Sequence, residues 1–186
     1  NARLGIIPSG KAYLDVMQAL EDLGIDATHA AEIGLRVFKV GMPWPLEPVS
    51  THEFARGLDE ILVVEEKRSV IEDQLTGQLY NWLTSERPRV FGEFDEEGRE
   101  LLTNLGELTP AIVARAIASR IAKFYDSKII RERLAFLEAK EQMLAQPRKK
   151  LDRVPHYCSG CPHNTSTRVP KGSRAMGGIG CHYMVT

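Results

Sequence analysis

Residues 4–24, "LGIIPSGKAYLDVMQALEDLG", hold a strand, a turn and a helix in one run. "LGIIP" (4–8) is short, apolar and closed by a proline, which suits a strand. In the following stretch Leu14, Met17 and Leu20 recur at helical spacing, with Val16 and Leu23 flanking the same face. That pattern predicts an amphipathic helix, and Gly24 is placed to end it. "PSGK" (8–11) sits at the strand-to-helix turn but lacks the spacing of a phosphate loop and the hydroxyl after its lysine. It reads as a plain turn capped by Ser9.

The same rhythm continues outward. "LRVFKVG" (35–41) is β-branched and predicts a second strand. "MPWPLEP" (42–48), with three prolines, is a loop. Ser50 and Glu53 have capping-box spacing for a short helix over 51–58. "EILVVEE" (60–66) reads as a strand buried on both faces. Ser69 and Glu72 repeat the capping-box spacing and open a helix through about Leu83, and "RVFGEF" (89–94) is a fourth strand. Strands alternating with helices predict an α/β fold: a three-layer αβα sandwich around a mostly parallel sheet. Beyond the acidic connector 93–100, Thr109-Pro110 supplies an N-cap and a first-turn proline. Ile112, Val113, Ala116, Ile117, Arg120, Ile121 and Phe124 trace one side of the helix that follows, and a charge-laced helix over about 129–145 turns Leu134 and Leu137 inward. The expected organisation is an α/β domain over 1–105, a helical connector and linker over 106–150, and a distinct C-terminal segment over 151–186.

A net charge of −1, with 43% hydrophobic and 26% charged residues, argues against a dedicated nucleic-acid or membrane-surface protein. No apolar run is long enough for a transmembrane helix. The N-terminus has neither a starting methionine nor the layout of a signal peptide, so the expected compartment is the cytoplasm. Both ends look cut, and a segment of a longer protein is expected. Two features of the α/β part have competing readings. Glu65, Glu66, Lys67 and Arg68 lie where a parallel strand ends, the edge at which such sheets bind ligands; local ion pairs are the stronger reading there, a catalytic carboxylate the weaker. Trp44 either packs on a cofactor or neighbouring subunit, or plugs the sheet edge.

All three cysteines fall near the C-terminus: Cys158 and Cys161 as C-x2-C, then nineteen residues, then Cys181. In a reducing compartment such a pair points to metal or redox chemistry rather than a structural disulfide. The third cysteine disfavours a simple dithiol. Iron–sulfur and zinc stand level on spacing alone, because His156, His163 and His182 offer imidazoles beside the thiols. "GGIGC" (177–181) sets three glycines around Ile179, letting backbone approach a ligand closely. Residues 148–174 carry seven basic side chains against Asp152 alone, a surface suited to a diphosphate or an acidic electron carrier.

"CSGCPHNTSTRVPKGSRAMGGIGCHYM" (158–184) resembles the opening of the thiamine-diphosphate domain of 2-oxoacid:ferredoxin oxidoreductases, in particular the large, fused bacterial indolepyruvate ferredoxin oxidoreductases. "GIIPSGKAYLDVMQALEDLGI" (5–25) and "EILVVEEKRSVIEDQL" (60–75) resemble the transketolase C-terminal-like domain that precedes it there. The resemblance implies oxidative decarboxylation of an arylpyruvate to an acyl-CoA, with ferredoxin as electron acceptor. It implies thiamine diphosphate, magnesium, a 4Fe-4S cluster, coenzyme A as co-substrate, and a homo-oligomer. It makes Cys158, Cys161 and Cys181 cluster ligands, with a fourth, distant cysteine, and sets His163, Gly178 and Gly180 beside the cofactor. No catalytic residue falls in this chain, since the family's catalytic glutamate belongs to another domain; the segment alone is expected to be inactive. The competing expectation is a zinc-binding interaction module with His163 or His182 as fourth ligand.

Overall fold

The computed structural model describes residues 2–145 and 156–174. Two compact units divide the chain, Asn1–Leu144 and Ala145–Thr186. The first is built as β1 (Leu4–Pro8), α1 (Lys11–Asp22), α2 (Ala27–Ile33), β2 (Leu35–Val37), α3 (Pro48–Ala55), β3 (Glu60–Val64), α4 (Val70–Leu79), β4 (Arg89–Phe91), α5 (Pro110–Ile121) and α6 (Lys128–Ala145). The four strands form one sheet in the order β2-β1-β3-β4, and every pairing is parallel. Leu4 stands opposite both Leu35 and Glu60, and Glu60 opposite Arg89.

Every residue of β1 and β3 is buried. Strand alternation then dictates two cores. Leu4, Ile6, Leu62 and Val64 face one side, where they meet Val16 and Leu20 of α1, Ile33 of α2, Ile117 and Ile121 of α5, and Ile130 of α6. Ile7, Ile61 and Val63 face the other, against Ala55 of α3 and Ile71, Leu75 and Leu79 of α4. Helices thus cover both faces, as the αβα reading requires, and the sheet is parallel throughout. Each fully buried aliphatic side chain contributes roughly 1.5–3 kcal/mol, whereas an exposed ion pair contributes about 0–1 kcal/mol. The layers are therefore held by the apolar faces of two central strands. Gly5 is required for a different reason: a Cβ there would stand 2.6 Å from Leu58 Cδ1 and 2.8 Å from Phe54 Cε1, so the aromatic ring lies directly on the β1 backbone.

Several local expectations are corrected. The helix α2 was not foreseen, although Asp26 caps it by accepting from the His29 N–H at 2.8 Å and Gly34 closes it at φ 83°. The buried stripe of α1 is Ala12, Asp15, Val16, Ala19 and Leu20; Leu14 and Met17 are 66% and 44% exposed. The helix presents small residues inward because it packs against α5 as well as the sheet. Ser9 does not cap α1: Gly10 is its N-cap, with no side-chain bond. The capping boxes at Ser50/Glu53 and Ser69/Glu72 do not form. The carboxylate of Glu47 accepts from the N–H groups of Val49 and Ser50 at 2.7 and 2.8 Å, so α3 begins at Pro48 and ends by Ala55. At α5, Thr109 and Pro110 act as expected, Thr109 Oγ1 accepting from the Ile112 N–H. The stretch read as a connector is integral to the unit, since Val113, Ile117 and Ile121 share the α1 core. Trp44 is 71% exposed and plugs nothing.

Among the described residues one ion pair is buried on both sides. Arg120 of α5 is 1% exposed and donates through Nε and Nη2 to Glu60 Oε2 at 3.0 and 2.6 Å, and through Nη1 to Glu96 Oε2 at 2.7 Å. Its guanidinium lies 4.0 Å from the centre of the Phe91 ring. Removing one partner leaves a desolvated charge, at a cost of about 3–5 kcal/mol. Arg120→Ala is accordingly expected to lower unfolding stability in urea by that amount. A loss below about 1 kcal/mol would mean the pair behaves as a solvated one.

Candidate metal centre

The chain passes from β1 to β2 on one side and then to β3 on the other, so the sheet's switch point lies between β1 and β3. Open α/β sheets bind ligands outside the carboxyl ends of the strands at that point. Here the space is a shallow crevice of about 250 Å³ bordered by Ser9, Lys11, Glu65, Glu66 and Arg68. Most of its charges are tied into the fold. Lys11 Nζ donates to Asp15 at 2.8 Å and to the Leu108 carbonyl at 2.9 Å, with Glu107 at 3.1 Å and Glu66 at 3.8 Å. Its hydrogen bond to the Asp15 carboxylate is the main influence raising its pKa. Glu66 also accepts from the Leu108 N–H. Glu65 leaves β3 and caps α4, accepting from the N–H groups of Ile71 and Glu72 at 2.9–3.0 Å. Ion pairing and capping engage these carboxylates.

Glu65 stands in a carboxylate-rich cleft with Glu72 and Glu93. Glu72 Oε2 accepts from the Glu93 N–H at 3.3 Å, and a Cβ on Gly92 would fall 2.3 Å from that oxygen. The side chain of Glu72 thus lies against bare backbone. Burial is the first cause raising the pKa of both Glu65 and Glu72, partly opposed by the backbone N–H groups they accept.

The second unit carries the cysteine motif. The Cys161 N–H donates to the Cys158 carbonyl at 3.0 Å, and Gly160 between them has φ 77°. This is a four-residue β-turn whose third position demands positive φ, and it draws the two cysteines to within about 7 Å. Asn164 Nδ2 donates to the same Cys158 carbonyl at 3.1 Å, tying the turn to the short helix α7 (His163–Ser166). Helix α7 follows Pro162, whose carbonyl accepts from Thr165 and Ser166 at 3.1 Å. Cys158 is exposed and Cys161 half-buried, and both are free thiols. His163 Nδ1 stands 3.3 Å from Cys161 Sγ, and the His163 ring stacks on Tyr157 with centroids 5.3 Å apart. Two thiols on one glycine-turned loop fit half of a thiolate-ligated site. Among the described residues no group of three or more His, Cys, Asp or Glu side chains converges in a way that would hold a metal.

Residues 1–147 match the family model described as the indolepyruvate ferredoxin oxidoreductase middle domain. The chain belongs to that family. Relatives at the level of sequence include the indolepyruvate oxidoreductase subunit IorA of Pyrococcus abyssi, 30% identical over 98% of this chain, and that of Pyrococcus horikoshii, 28% identical over 98%. The same subunit of Methanothermobacter marburgensis is 32% identical over 86% of the chain. The chain spans about a quarter of the Pyrococcus proteins, 26% of their length, and 21% of the Methanothermobacter one.

Of the residues singled out from sequence, Cys158, Cys161 and His163 come together in one turn. Cys181, Gly178, Gly180 and His182 lie outside the described residues. Tyr157, Gly160 and Asn164 were not singled out. The signal for Gly160 was its place between paired cysteines, where a tight turn needs a glycine. Among the described residues no helix is long and apolar enough to cross a membrane.

The half-buried carboxylates Glu65 and Glu72 carry a pH dependence of determinate sign. A pKa raised above its usual 4.5 means the folded state binds the proton more tightly. The stability so contributed is complete below pH 4.5 and is lost as pH rises through the raised pKa. Glu47 and Glu96, whose pKa values are lowered by the Ser50 hydroxyl and by Lys123 respectively, act in the opposite sense and only below pH 4.5. Glu72→Gln, which keeps the acceptor oxygen and discards the charge, is expected to raise the melting temperature at pH 7 and to flatten its decline from pH 4.5 upward. An unchanged slope would show that Glu72 is solvated.

Proposed function

We propose that this chain is part of a thiamine-diphosphate-dependent 2-oxoacid:ferredoxin oxidoreductase, acting in the cytoplasm on an arylpyruvate of the indolepyruvate type. The observation that carries the reading is the Cys158–Cys161 turn in a chain of this family. The net reaction converts a 2-oxoacid and coenzyme A to an acyl-CoA, carbon dioxide, a proton and two electrons, and the electrons pass singly to ferredoxin. Thiamine diphosphate with magnesium, when bound, supplies the stabilisation of negative charge that decarboxylation needs.

In this reading Cys158 and Cys161 hold one edge of a 4Fe-4S cluster and Cys181 a third position. With three cysteines in 186 residues, the fourth ligand comes from elsewhere in the enzyme. Gly178 and Gly180 are cofactor neighbours in this reading, since a glycine lets backbone approach a ligand closely. The α/β unit serves as scaffold and as an interface within a homo-oligomer, and the exposed Trp44 suits such an interface. The second reading is a zinc module, favoured by the contact of Cys161 Sγ with His163 Nδ1.

Metal and acid-labile sulfide analysis of the anaerobically purified whole enzyme separates the two. Iron with sulfide in the wild type, and loss of ferredoxin reduction in Cys161→Ser with thiamine diphosphate binding retained, are the expected results. Stoichiometric zinc without sulfide would replace the electron-transfer reading by the interaction module.

A further inference from the structure

We propose that His163 is a positioning residue for electron transfer: its Nδ1–H donates to the sulfur of Cys161 and thereby sets the reduction potential of the cluster that this sulfur binds. The inference rests on the cluster reading of Cys158 and Cys161. Three observations carry it. The Nδ1 atom is 3.3 Å from Cys161 Sγ, within reach of a hydrogen bond to sulfur. The ring is held in that direction by stacking on Tyr157 at 5.3 Å and an interplanar angle of 25°. The backbone of His163 is also anchored, since its carbonyl accepts from the N–H of Thr167 at 3.2 Å and from the Thr167 hydroxyl. A half-buried imidazole oriented by its neighbours and directed at a thiol is built as a donor to the sulfur, two residues along from the ligand it serves.

The chemistry follows from charge. When the cluster accepts one electron its net charge becomes more negative, and density on the ligating sulfurs increases. A fixed N–H donor interacts more strongly with that reduced state than with the oxidised one, so it raises the potential. In the Nδ1–H tautomer the ring donates to the sulfur and leaves Nε2 as acceptor. This role differs from that of a neighbour of the thiamine cofactor, which the sequence resemblance implied for the same residue.

The test is a redox titration, followed by electron paramagnetic resonance, of the anaerobically purified whole enzyme in three forms. His163→Phe keeps an aromatic ring for Tyr157 but has no donor. His163→Asn carries an amide N–H close to the position of Nδ1. The expected result is full iron and sulfide in all three forms, with the reduction equilibrium constant of His163→Phe lowered on the order of tenfold, about 59 mV for a one-electron couple. His163→Asn is expected to return most of that shift. Equal potentials in all three, with the cluster intact, would overturn the inference while leaving the proposed function standing. Loss of iron from His163→Phe would also overturn it, making the imidazole a ligand or a prop. Wild-type enzyme without iron and sulfide would instead remove the function on which the inference rests.

Discussion

Glu60 is the one charged residue in the two strands that are buried along their whole length. Its carboxylate stands at the amino end of β3, and Arg120 reaches it from α5 on the layer above, while Arg89 of β4 meets its other oxygen. Because a desolvated carboxylate without a partner costs several kcal/mol, α5 is confined to the rotation and height at which its guanidinium meets Glu60. That same rotation turns Val113, Ile117 and Ile121, spaced four residues apart, into the core. The helix α1 then packs against this placed helix as well as against the sheet. A buried ion pair need not add net stability over a hydrophobic substitute. Here its physical effect is to select one arrangement among several that would bury similar apolar area.

The opposite edge of the sheet uses charge differently. At the carboxyl ends of β1 and β3, Lys11, Glu65 and Glu66 close onto helix ends and loop carbonyls that would otherwise be unsatisfied. Singly these contacts are far weaker than the aliphatic layers beneath. Their consequence is geometric: they fix where α1, α4 and the segment before α5 leave the sheet. The crevice at the switch point consequently keeps the shape of the fold but presents neither a free ammonium at Lys11 nor an idle carboxylate at Glu65.

The bonds described for the cysteine turn are local. Its bonds run between residues at most six apart: Cys158 to Cys161, Cys158 to Asn164, Cys161 to His163. A loop organised by local contacts holds its ligand geometry without a large core. Family membership rests on residues 1–147, and the chemistry proposed for the chain rests on the turn, so the two lines of argument draw on different parts of the sequence.

Much of the architecture was legible in periodicity. "LGIIP" and "EILVV" announced two-sided strands because continuous apolar runs have no other stable place than between layers. Gly24 and Thr109-Pro110 marked helix ends because their backbone requirements are local. Gly160 carried a comparable local signal that was not singled out: its positive φ suits a glycine between the paired cysteines. What sequence could not declare was anything decided by a distant partner. Glu65 displaced Ser69 as the effective cap of α4 because the end of β3 delivers a carboxylate to the helix N-terminus. Leu14 and Met17 faced outward because α1 must serve both the sheet and α5. The sequence by itself determined which segments are strands, helices and turns, since those preferences act over a few bonds. Only the tertiary structure decided which polar groups meet, because the free energy of a buried charge depends on what folding brings beside it.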